Sequence, residues 1–293
     1  LLEIEHLSVD AFIRTTFDEG AFHGTAGIGQ PIMALGTARV LSSQFEGLNQ
    51  GDAVFGPMGA QTHAKVPGVM LQKLEEKELP ARSYLGVLGL ATGMTAYAGM
   101  TRVAEVQEGN TVVVSAASGA VGSLVGQLAK REGCRTVGVV GTEEKARYIV
   151  DTLGYDAAIN YRTADNLRAE IRAAAPDGVD VYFDNVGGPV TDAVFDNLAQ
   201  RARIVLCGQI SQYNASRQEM GPRNLTKILM TRSRIEGFIV FDYLDRYPQG
   251  LKDLSVWLAN GEIRYKEDIV DGLKNAPTAF IGLLEGRNFG KLL

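Results

Sequence analysis

One segment near the middle of the chain constrains its fold more than any other. The valine-rich run Thr111 to Val114 leads into a turn of small residues, Ala116 to Gly122, and then into apolar residues at helical spacing up to Ala129. The turn is a variant of G-x-G-x-x-G with Ala117 in the first glycine position, and small residues there let backbone N–H groups approach a pyrophosphate at a helix N-terminus. The residues expected to contact such a ligand are Gly119, Ala120, Val121 and Gly122. A strand-to-helix connection without a ligand is the alternative.

Further strand-like runs alternate with helical patterns from about Asn110 onwards. They lie at 136–140, 157–159, 179–183, 203–206 and 235–240. Strands separated by helices predict a parallel, doubly wound sheet. Up to about Leu90 the chain instead combines short β-like runs with many Gly and Pro residues, which is typical of an irregular β domain. Helical patterns at 251–258 and 277–284 come last, and we expect the final fifty residues to return to the first domain.

Composition and charge argue against several classes of partner. The 293 residues include 29 Lys and Arg against 34 Asp and Glu, a formal net charge of −5, so no global positive field attracts nucleic acid. No apolar run has the length of a membrane span, and no signal peptide is recognisable. Cys134 and Cys207 are interpreted as buried strand residues with reduced thiols, which favours the cytoplasm. The chain begins at Leu1 without Met, so we expect its natural N-terminus to lie upstream.

The end of the second predicted strand indicates which dinucleotide is bound. NAD sites usually present Asp or Glu there to the ribose hydroxyls, whereas this chain has Gly141 and Thr142. Thr142 is a candidate helix cap, and Lys145 is then placed to face a 2′-phosphate, so NADPH is favoured over NADH. Glu143 and Glu144 oppose this unless they complement the helix dipole, and Lys145 has an alternative as a solvated helix residue.

Segments spread over almost the whole chain carry a resemblance to a known family. They are LSVDAFIR from Leu7, GMTAY from Gly93, AASGAVGSLVGQLAK from Ala116, DVYFDNVGG from Asp180, ARIVLCGQISQYN from Ala202, IEGFIV from Ile235 and APTAFIGLLEGRNFGK from Ala276. In this order they resemble the medium-chain dehydrogenase/reductase superfamily. Within it they resemble the zinc-free branch of leukotriene B4 dehydrogenases, prostaglandin reductases and bacterial curcumin-reductase-like enzymes.

The resemblance implies an α/β architecture of two domains. A GroES-like β-barrel domain over 1–91 would bind substrate, a doubly wound parallel Rossmann sheet over 92–241 would bind NADPH, and 242–293 would return to the first domain. Substrate would lie in the cleft between the domains. The family also implies a homodimer joined through the Rossmann sheets.

The same resemblance assigns roles to individual residues. It implies that Lys145 and Tyr161 grip the 2′-phosphate, that Asn185 lies near the cofactor, and that Asn288 touches the cofactor from the C-terminal segment. The residues implied to line the nicotinamide side are Cys207, Gly208, Gln209, Ile210, Ser211, Tyr213, Phe238, Ile239 and Val240. From the residues alone, Asn185 is equally well a turn residue and Phe238 a core aromatic.

The sequence does not supply the catalytic residues of several enzyme classes. A catalytic zinc site needs converging Cys, His and carboxylate ligands, and His6, His23 and His63 lack such a pattern, so we expect no metal. No Tyr has Lys four positions later, as a short-chain dehydrogenase requires, and no G-x-S-x-G elbow is present.

Hydride delivery to an electrophilic carbon is the chemistry that suits NADPH without a metal. We therefore expect reduction of an alkene conjugated to a ketone or aldehyde, with hydride added to the β-carbon and the enolate then protonated. Tyr213 is the candidate catalytic donor, and its alternative is a turn tyrosine packed at the surface. Solvent or the cofactor ribose are other proton sources. Phe12 stands where family members often have Tyr, which makes the mouth of the pocket more apolar.

Two other functions stay open at this stage. A quinone reductase of the same superfamily would use the same cofactor site without Tyr213 as a donor. A cofactor-binding regulatory protein would retain the fold without turnover.

Overall fold

The computed structural model describes residues 1–20, 23–75, 79–215, 217 and 220–293. The strands are β1 (Leu2–Leu7), β2 (Leu35–Val40), β3 (Ala53–Pro57), β4 (His63–Ala64), β5 (Gln72–Lys73), β6 (Thr111–Ser115), β7 (Arg135–Val140), β8 (Ala157–Asn160), β9 (Val179–Asp184), β10 (Leu198–Leu206), β11 (Arg234–Gly237), β12 (Glu267–Asp268) and β13 (Lys291–Leu292). The α-helices are α1 (Thr95–Ala98), α2 (Ala120–Arg131), α3 (Glu143–Asp151), α4 (Leu167–Ala174), α5 (Gly188–Phe195), α6 (Leu225–Thr231), α7 (Tyr247–Ala259) and α8 (Ala276–Leu284). Among these helices, none is long and apolar enough to cross a bilayer.

The chain divides into two compact units. The first comprises 1–92 and 266–293, and the second comprises 93–265. The first unit contains a five-stranded sheet in the order β4-β1-β2-β3-β5, with antiparallel neighbours, as the β-like texture of this region predicts. Its core residues are Leu2, Ala38, Val40, Val54, Met58 and Ala64.

A buried ion pair joins the end of the chain to its beginning within the first unit. Lys291 Nζ lies 2.6 Å from Asp10 Oδ1, and only 2% of the lysine side chain is exposed. The backbone N–H of Val9 also donates to the carbonyl of Leu292 at 3.2 Å. Asp10 accepts a second hydrogen bond from Ser8 Oγ, so this buried charge is well compensated.

The segment 242–265 lies in the second unit, although the sequence led us to expect a return to the first domain from residue 242. Its helix α7 packs closely against residues of the same unit. Tyr97 Oη donates to Asp253 Oδ2 at 2.8 Å, and a Cβ at Gly250 would lie only 2.6 Å from Met94 Cε. Leu254 on the same helix is fully buried.

The second unit contains the parallel sheet that the alternating pattern predicts. Its six strands follow the order β11-β10-β9-β6-β7-β8, so the chain runs outward in one direction from β6 and then in the other from β9. The predicted doubly wound topology is therefore confirmed, with its switch point between β6 and β9.

Two strands differ from the predicted ones by more than one residue at an end. The strand expected at 235–240 ends at Gly237, and a 3₁₀ segment begins at Val240. Strand β10 begins at Leu198, five positions before the predicted start at Arg203. A left-handed residue, Arg201, and a register shift interrupt the apolar pattern of β10, which explains why its first half was not recognisable.

Tyr155 fills the space between α2 and the sheet. Its ring overlaps the positions that a Cβ at Gly126 would occupy, and it also approaches the corresponding position of Gly138. The phenol donates to the carbonyl of Gly122 at 2.6 Å, and burial raises the pKa of Tyr155. Small residues at 126 and 138 therefore allow a large aromatic side chain to support the turn from beneath.

Candidate functional site

Most of the predicted cofactor residues lie along one edge of the parallel sheet. They follow the carboxyl ends of its strands, with Gly119 to Gly122 after β6, Lys145 after β7, Tyr161 after β8, Asn185 after β9, Cys207 to Tyr213 after β10 and Phe238 to Val240 after β11. Ligands of doubly wound sheets bind at this edge, next to the switch point. Gly119 and Val240, the first and last residues of this set, are 121 positions apart in the sequence, and the fold brings them to the same edge.

The turn after β6 is built for close approach to its backbone. Ala116 has a φ of 50°, a left-handed conformation that is unusual for a residue with a side chain. The left-handed residue thus lies one position before Ala117, which the motif places first. A Cβ at Gly122 would lie 2.9 Å from Ala117 Cα, so this position requires glycine.

The N-terminus of α2 has no side-chain cap. Its N-cap residue, Gly119, has no side chain with which to accept a hydrogen bond from the first turn. Backbone N–H groups at an uncapped helix start, together with the helix dipole, favour an anion. The turn and the helix therefore fit a pyrophosphate.

The end of β7 has the cap that the sequence predicts. Thr142 Oγ1 accepts a hydrogen bond from the backbone N–H of Lys145 at 3.2 Å, which confirms the predicted N-cap of α3. Glu143 Oε1 accepts from Asn160 Nδ2 at 2.6 Å and from Thr163 Oγ1 at 3.3 Å. The carboxylate of Glu143 is therefore held by the turn after β8.

Sequence reasoning missed Arg162, which follows Tyr161. Arg162 Nε donates to Tyr161 Oη at 3.3 Å, and the guanidinium lies 5.8 Å from the centre of the tyrosine ring. A Cβ at Gly141 would lie 3.2 Å from Tyr161 Cε1 and 3.4 Å from Arg162 Nε. These two side chains are therefore packed against the glycine that follows β7.

A second residue that sequence reasoning missed is Asp184, the last residue of β9. It is completely buried, and both of its carboxylate oxygens accept hydrogen bonds. The donors are Ser115 Oγ at 3.1 Å, Tyr182 Oη at 2.9 Å, the N–H groups of Val186 and Gly187 at 2.9 Å each, and Thr191 Oγ1 at 2.6 Å. This network fixes the turn that follows β9. Burial raises the pKa of Tyr182, and the adjacent carboxylate of Asp184 raises it further.

Asn185 connects the ends of β9 and β6. Its Nδ2 donates to the carbonyl of Ser115 at 2.8 Å, and its backbone N–H donates to Ser115 Oγ at 2.8 Å. The residue thus does more than form a turn, because it ties the two strands on either side of the switch point.

The segment after β10 folds back on itself through Tyr213. Tyr213 Oη accepts a hydrogen bond from the backbone N–H of Gln209 at 3.2 Å, and a Cβ at Gly208 would lie 3.2 Å from the same oxygen. Ser211 Oγ anchors the segment by donating to the carbonyl of Val186 at 2.6 Å. Burial raises the pKa of Tyr213 and raises that of the Cys207 thiol to about 12. Both groups are therefore neutral at physiological pH.

Of the three predicted cofactor residues after β11, one is buried and two are partly exposed. Phe238 is 8% exposed, and its ring makes edge contacts with Phe183 at 6.3 Å and Tyr243 at 6.0 Å between centroids. The alternative role of Phe238 as a core aromatic thus has direct support. Ile239 and Val240 are partly exposed beside it.

Asn288 belongs to the first unit, where its Nδ2 donates to the carbonyl of Gly290 at 2.9 Å.

Across 1–20, 23–75, 79–215, 217 and 220–293, no group of three or more His, Cys, Asp or Glu residues is arranged to hold a metal ion. Cys134 and Cys207 are free thiols that flank strands, immediately before β7 and immediately after β10.

Comparisons with known proteins identify the family. A family profile described as zinc-binding dehydrogenase matches residues 120–256. The chain is 43% identical over 289 residues to a 2-alkenal reductase (NADP(+)-dependent) of Nicotiana tabacum, covering 98% of this chain and 84% of that protein. It is 40% identical over 299 residues to the NADPH-dependent curcumin reductase of Escherichia coli, with 100% and 86% covered.

A solved structure agrees with these relatives. CurA of Vibrio vulnificus in complex with NADPH superposes with a TM-score of 0.94 at 39% identity, covering 99% of this chain and 88% of that one. The chain belongs to the medium-chain dehydrogenase/reductase superfamily. The predicted family and fold class of this superfamily member are thereby confirmed.

Proposed function

We propose that this superfamily member is an NADPH-dependent oxidoreductase that reduces the carbon–carbon double bond of α,β-unsaturated ketones or aldehydes. The observation that carries the proposal is the carboxyl edge of the parallel sheet, where α2 starts without a side-chain cap after β6 and Gly141 follows the neighbouring strand β7. Relatives named as NADP-dependent alkenal reductase and NADPH-dependent curcumin reductase support the reaction class and the cofactor.

The residues of the edge would divide the work of holding the cofactor. The turn from Gly119 to Gly122 would hold the pyrophosphate on backbone N–H groups, and Lys145 with Tyr161 would hold the 2′-phosphate. The absence of a carboxylate at residue 141 removes the group that would repel that phosphate. When bound, NADPH supplies the hydride that adds to the β-carbon of the alkene.

Tyr213 suits a role as hydrogen-bond donor to the substrate carbonyl. Its oxygen already accepts from the N–H of Gln209, so its own proton is available for donation. Burial raises its pKa, which keeps the phenol neutral and makes it a stabiliser of negative charge on oxygen more than an acid that gives its proton away. We therefore assign to Tyr213 the polarisation of the carbonyl, with solvent or a ribose hydroxyl supplying the proton at the α-carbon.

The test is a panel of matched substrates followed by the loss of NADPH absorbance. It compares an α,β-unsaturated ketone, the saturated ketone of the same carbon skeleton, an α,β-unsaturated aldehyde and a quinone. We expect the two unsaturated carbonyl compounds to be reduced, each to the corresponding saturated carbonyl compound. We expect no turnover of the saturated ketone. Reduction of the quinone alone would favour the quinone reductase alternative. Tight NADPH binding without any turnover would favour the regulatory protein.

We further propose that two copies pair along β11 in a reducing compartment such as the cytoplasm. Within the described part of the chain, β11 is an edge strand that pairs with β10 alone, and the helix α6 before it exposes Leu225, Leu229 and Met230. Light scattering on the purified chain tests this pairing. A monomer at micromolar concentration would contradict it.

A further inference from the structure

The end of β7 has a cationic neighbour that the cofactor assignment above does not use. Strands β7 and β8 run parallel with Val140 opposite Asn160, and the N–H of Tyr161 donates to the carbonyl of Val140 at 3.0 Å. This register places the two residues after β8 directly beside the first residue after β7. Gly141 is therefore flanked by Tyr161 and Arg162.

The space over Gly141 is occupied by polar atoms of both neighbours. The missing Cβ of Gly141 would be 3.4 Å from Tyr161 Oη and 3.4 Å from Arg162 Nε, and these two atoms are hydrogen-bonded to each other. In dinucleotide sites this strand end is where the adenosine ribose is recognised. A phenol and a guanidinium thus stand where an NAD site has its carboxylate.

We propose that Arg162 is a specificity-determining residue that binds the 2′-phosphate of NADPH, with Tyr161 orienting its guanidinium. The proposal rests on the proposed function, because it concerns the same cofactor. A guanidinium presents a planar fork of N–H donors that matches phosphate oxygens and stays charged at every physiological pH. The hydrogen bond to Tyr161 limits the orientations that this flexible side chain can adopt.

The surrounding charges favour this place over the neighbouring groove. An open groove of about 490 Å³ lies beside Tyr161, between the first turns of α4 and α5, and Asp165 and Asp192 are among its lining residues. Among the described residues that line this groove, Arg168 is the one cation, and it pairs with Asp196 at 2.7 Å. The groove therefore offers a phosphate little positive charge.

Glu143 of α3 does not remove this preference for the place beside Gly141. Glu143 is bound by Asn160 and Thr163, which satisfies one oxygen of its carboxylate at the turn. Lys145 on the same helix adds a second cation. A 2′-phosphate next to Gly141 would accordingly meet the guanidinium of Arg162 and the phenol of Tyr161, with Lys145 as the cation that the proposed function already assigns.

The experiment measures equilibrium binding of NADPH and of NADH to the full chain by nicotinamide fluorescence. We expect Arg162→Gln to weaken NADPH binding by about 10- to 100-fold, the range for a hydrogen bond to a charged group, and to leave NADH binding unchanged. The matched control is Arg135→Gln, which removes the same charge at the amino end of β7. It is expected to change neither affinity.

Two further variants separate recognition from general damage. Arg162→Lys keeps the charge without the planar fork, and we expect it to retain part of the preference for NADPH. Gly141→Asp places a carboxylate against Arg162, and we expect it to lower the ratio of NADPH to NADH affinity at least as much as Arg162→Gln. In the unmodified chain, rising salt should weaken NADPH binding more than NADH binding, and Arg162→Gln should reduce this difference.

Three outcomes would overturn the inference. They are an unchanged affinity ratio in Arg162→Gln, an equal loss of both affinities, and the same loss in Arg135→Gln. Each of these leaves the proposed function standing if the unmodified chain prefers NADPH. Failure of the unmodified chain to bind NADPH would overturn the proposed function itself, and this inference with it.

Discussion

Asp184 Oδ1 accepts a hydrogen bond from Ser115 Oγ at 3.1 Å, and this contact joins the carboxyl ends of β9 and β6. The two residues lie on either side of the switch point, where a doubly wound sheet opens its ligand crevice. Because both side chains are fully buried, the geometry of the crevice depends on a polar contact that solvent does not weaken.

Two replacements of Asp184 should therefore show how much its hydrogen bonds contribute to the stability of the folded chain. Asp184→Leu leaves several buried donors without an acceptor and should lower the free energy of unfolding by about 3 kcal/mol or more. Asp184→Asn can keep the oxygen that accepts four of the five hydrogen bonds and should cost about 1 kcal/mol. Urea unfolding of both variants checks this order. Equal stability of the two variants would show that the network contributes little.

Replacing Lys145 should affect one dinucleotide and not the other. Lys145→Ala removes a cation from the first turn of α3 while leaving its backbone N–H bonded to Thr142, so the cap survives. We expect NADPH binding to weaken by about 10-fold and NADH binding to stay the same. Lys130→Ala, at the opposite end of the sheet, is the matched control. Indifference of NADPH binding to Lys145→Ala would contradict the assigned role.

Replacing Tyr213 should affect turnover more than cofactor binding. Tyr213→Phe keeps the ring but removes the hydroxyl that would stabilise the enolate oxygen, so kcat should fall by about 10². The Kd of NADPH should change by less than a few-fold. Steady-state kinetics with an enone, together with fluorescence titration of NADPH, measure the two effects. Full activity in Tyr213→Phe would remove the proposed role.

The folded chain should lose stability steeply in alkaline solution. Burial raises the pKa of Tyr155 in the folded state, so the stabilisation is complete below the unfolded pKa of about 10 and is lost as pH rises above it. At a pH between the unfolded pKa and the higher folded pKa, Tyr155 has lost its proton in the unfolded chain but keeps it in the folded chain. The free energy of unfolding then falls by about 1.4 kcal/mol per pH unit. Denaturant midpoints at a series of alkaline pH values measure the slope.

Two tyrosine variants give this prediction an internal comparison. Burial and the hydrogen bond to Asp253 raise the pKa of Tyr97 to about 12, so Tyr97→Phe should change the slope only between pH 10 and 12. Tyr155→Phe should make the slope shallower over the whole alkaline range. Identical slopes in both variants and the unmodified chain would contradict the assignment.

Features with a local pattern were predictable from the sequence. The valine-rich run before Ala116 and the spacing after it define a strand, a turn and a helix, and Thr142 caps α3 as its position three residues before Lys145 indicates. The parallel sheet follows from the repeated alternation of such units. Backbone geometry and helix capping act over a few residues, so a single sequence carries their signal.

Features made by distant partners were not predictable. From the sequence, Asp184 is only an acidic residue at the end of a predicted strand, because its partner Ser115 lies 69 positions earlier. Arg162 gains its place from the register of β7 with β8, which brings it to Gly141. The late boundary at residue 265 likewise depends on contacts of α7 with Met94 and Tyr97, which no periodicity reveals.

The ring of Tyr155 also makes three distant positions depend on one another. Any side chain at residue 126 overlaps this ring, and residue 138 lies close to it as well. A relative with a small residue at the position of Tyr155 would be free to carry larger side chains at the other two, whereas a relative that keeps the tyrosine would not. Substitutions at 126, 138 and 155 should therefore be found together across the superfamily, because a larger side chain at one of these positions needs a smaller one at another. The surface of the turn that faces the cofactor would stay the same.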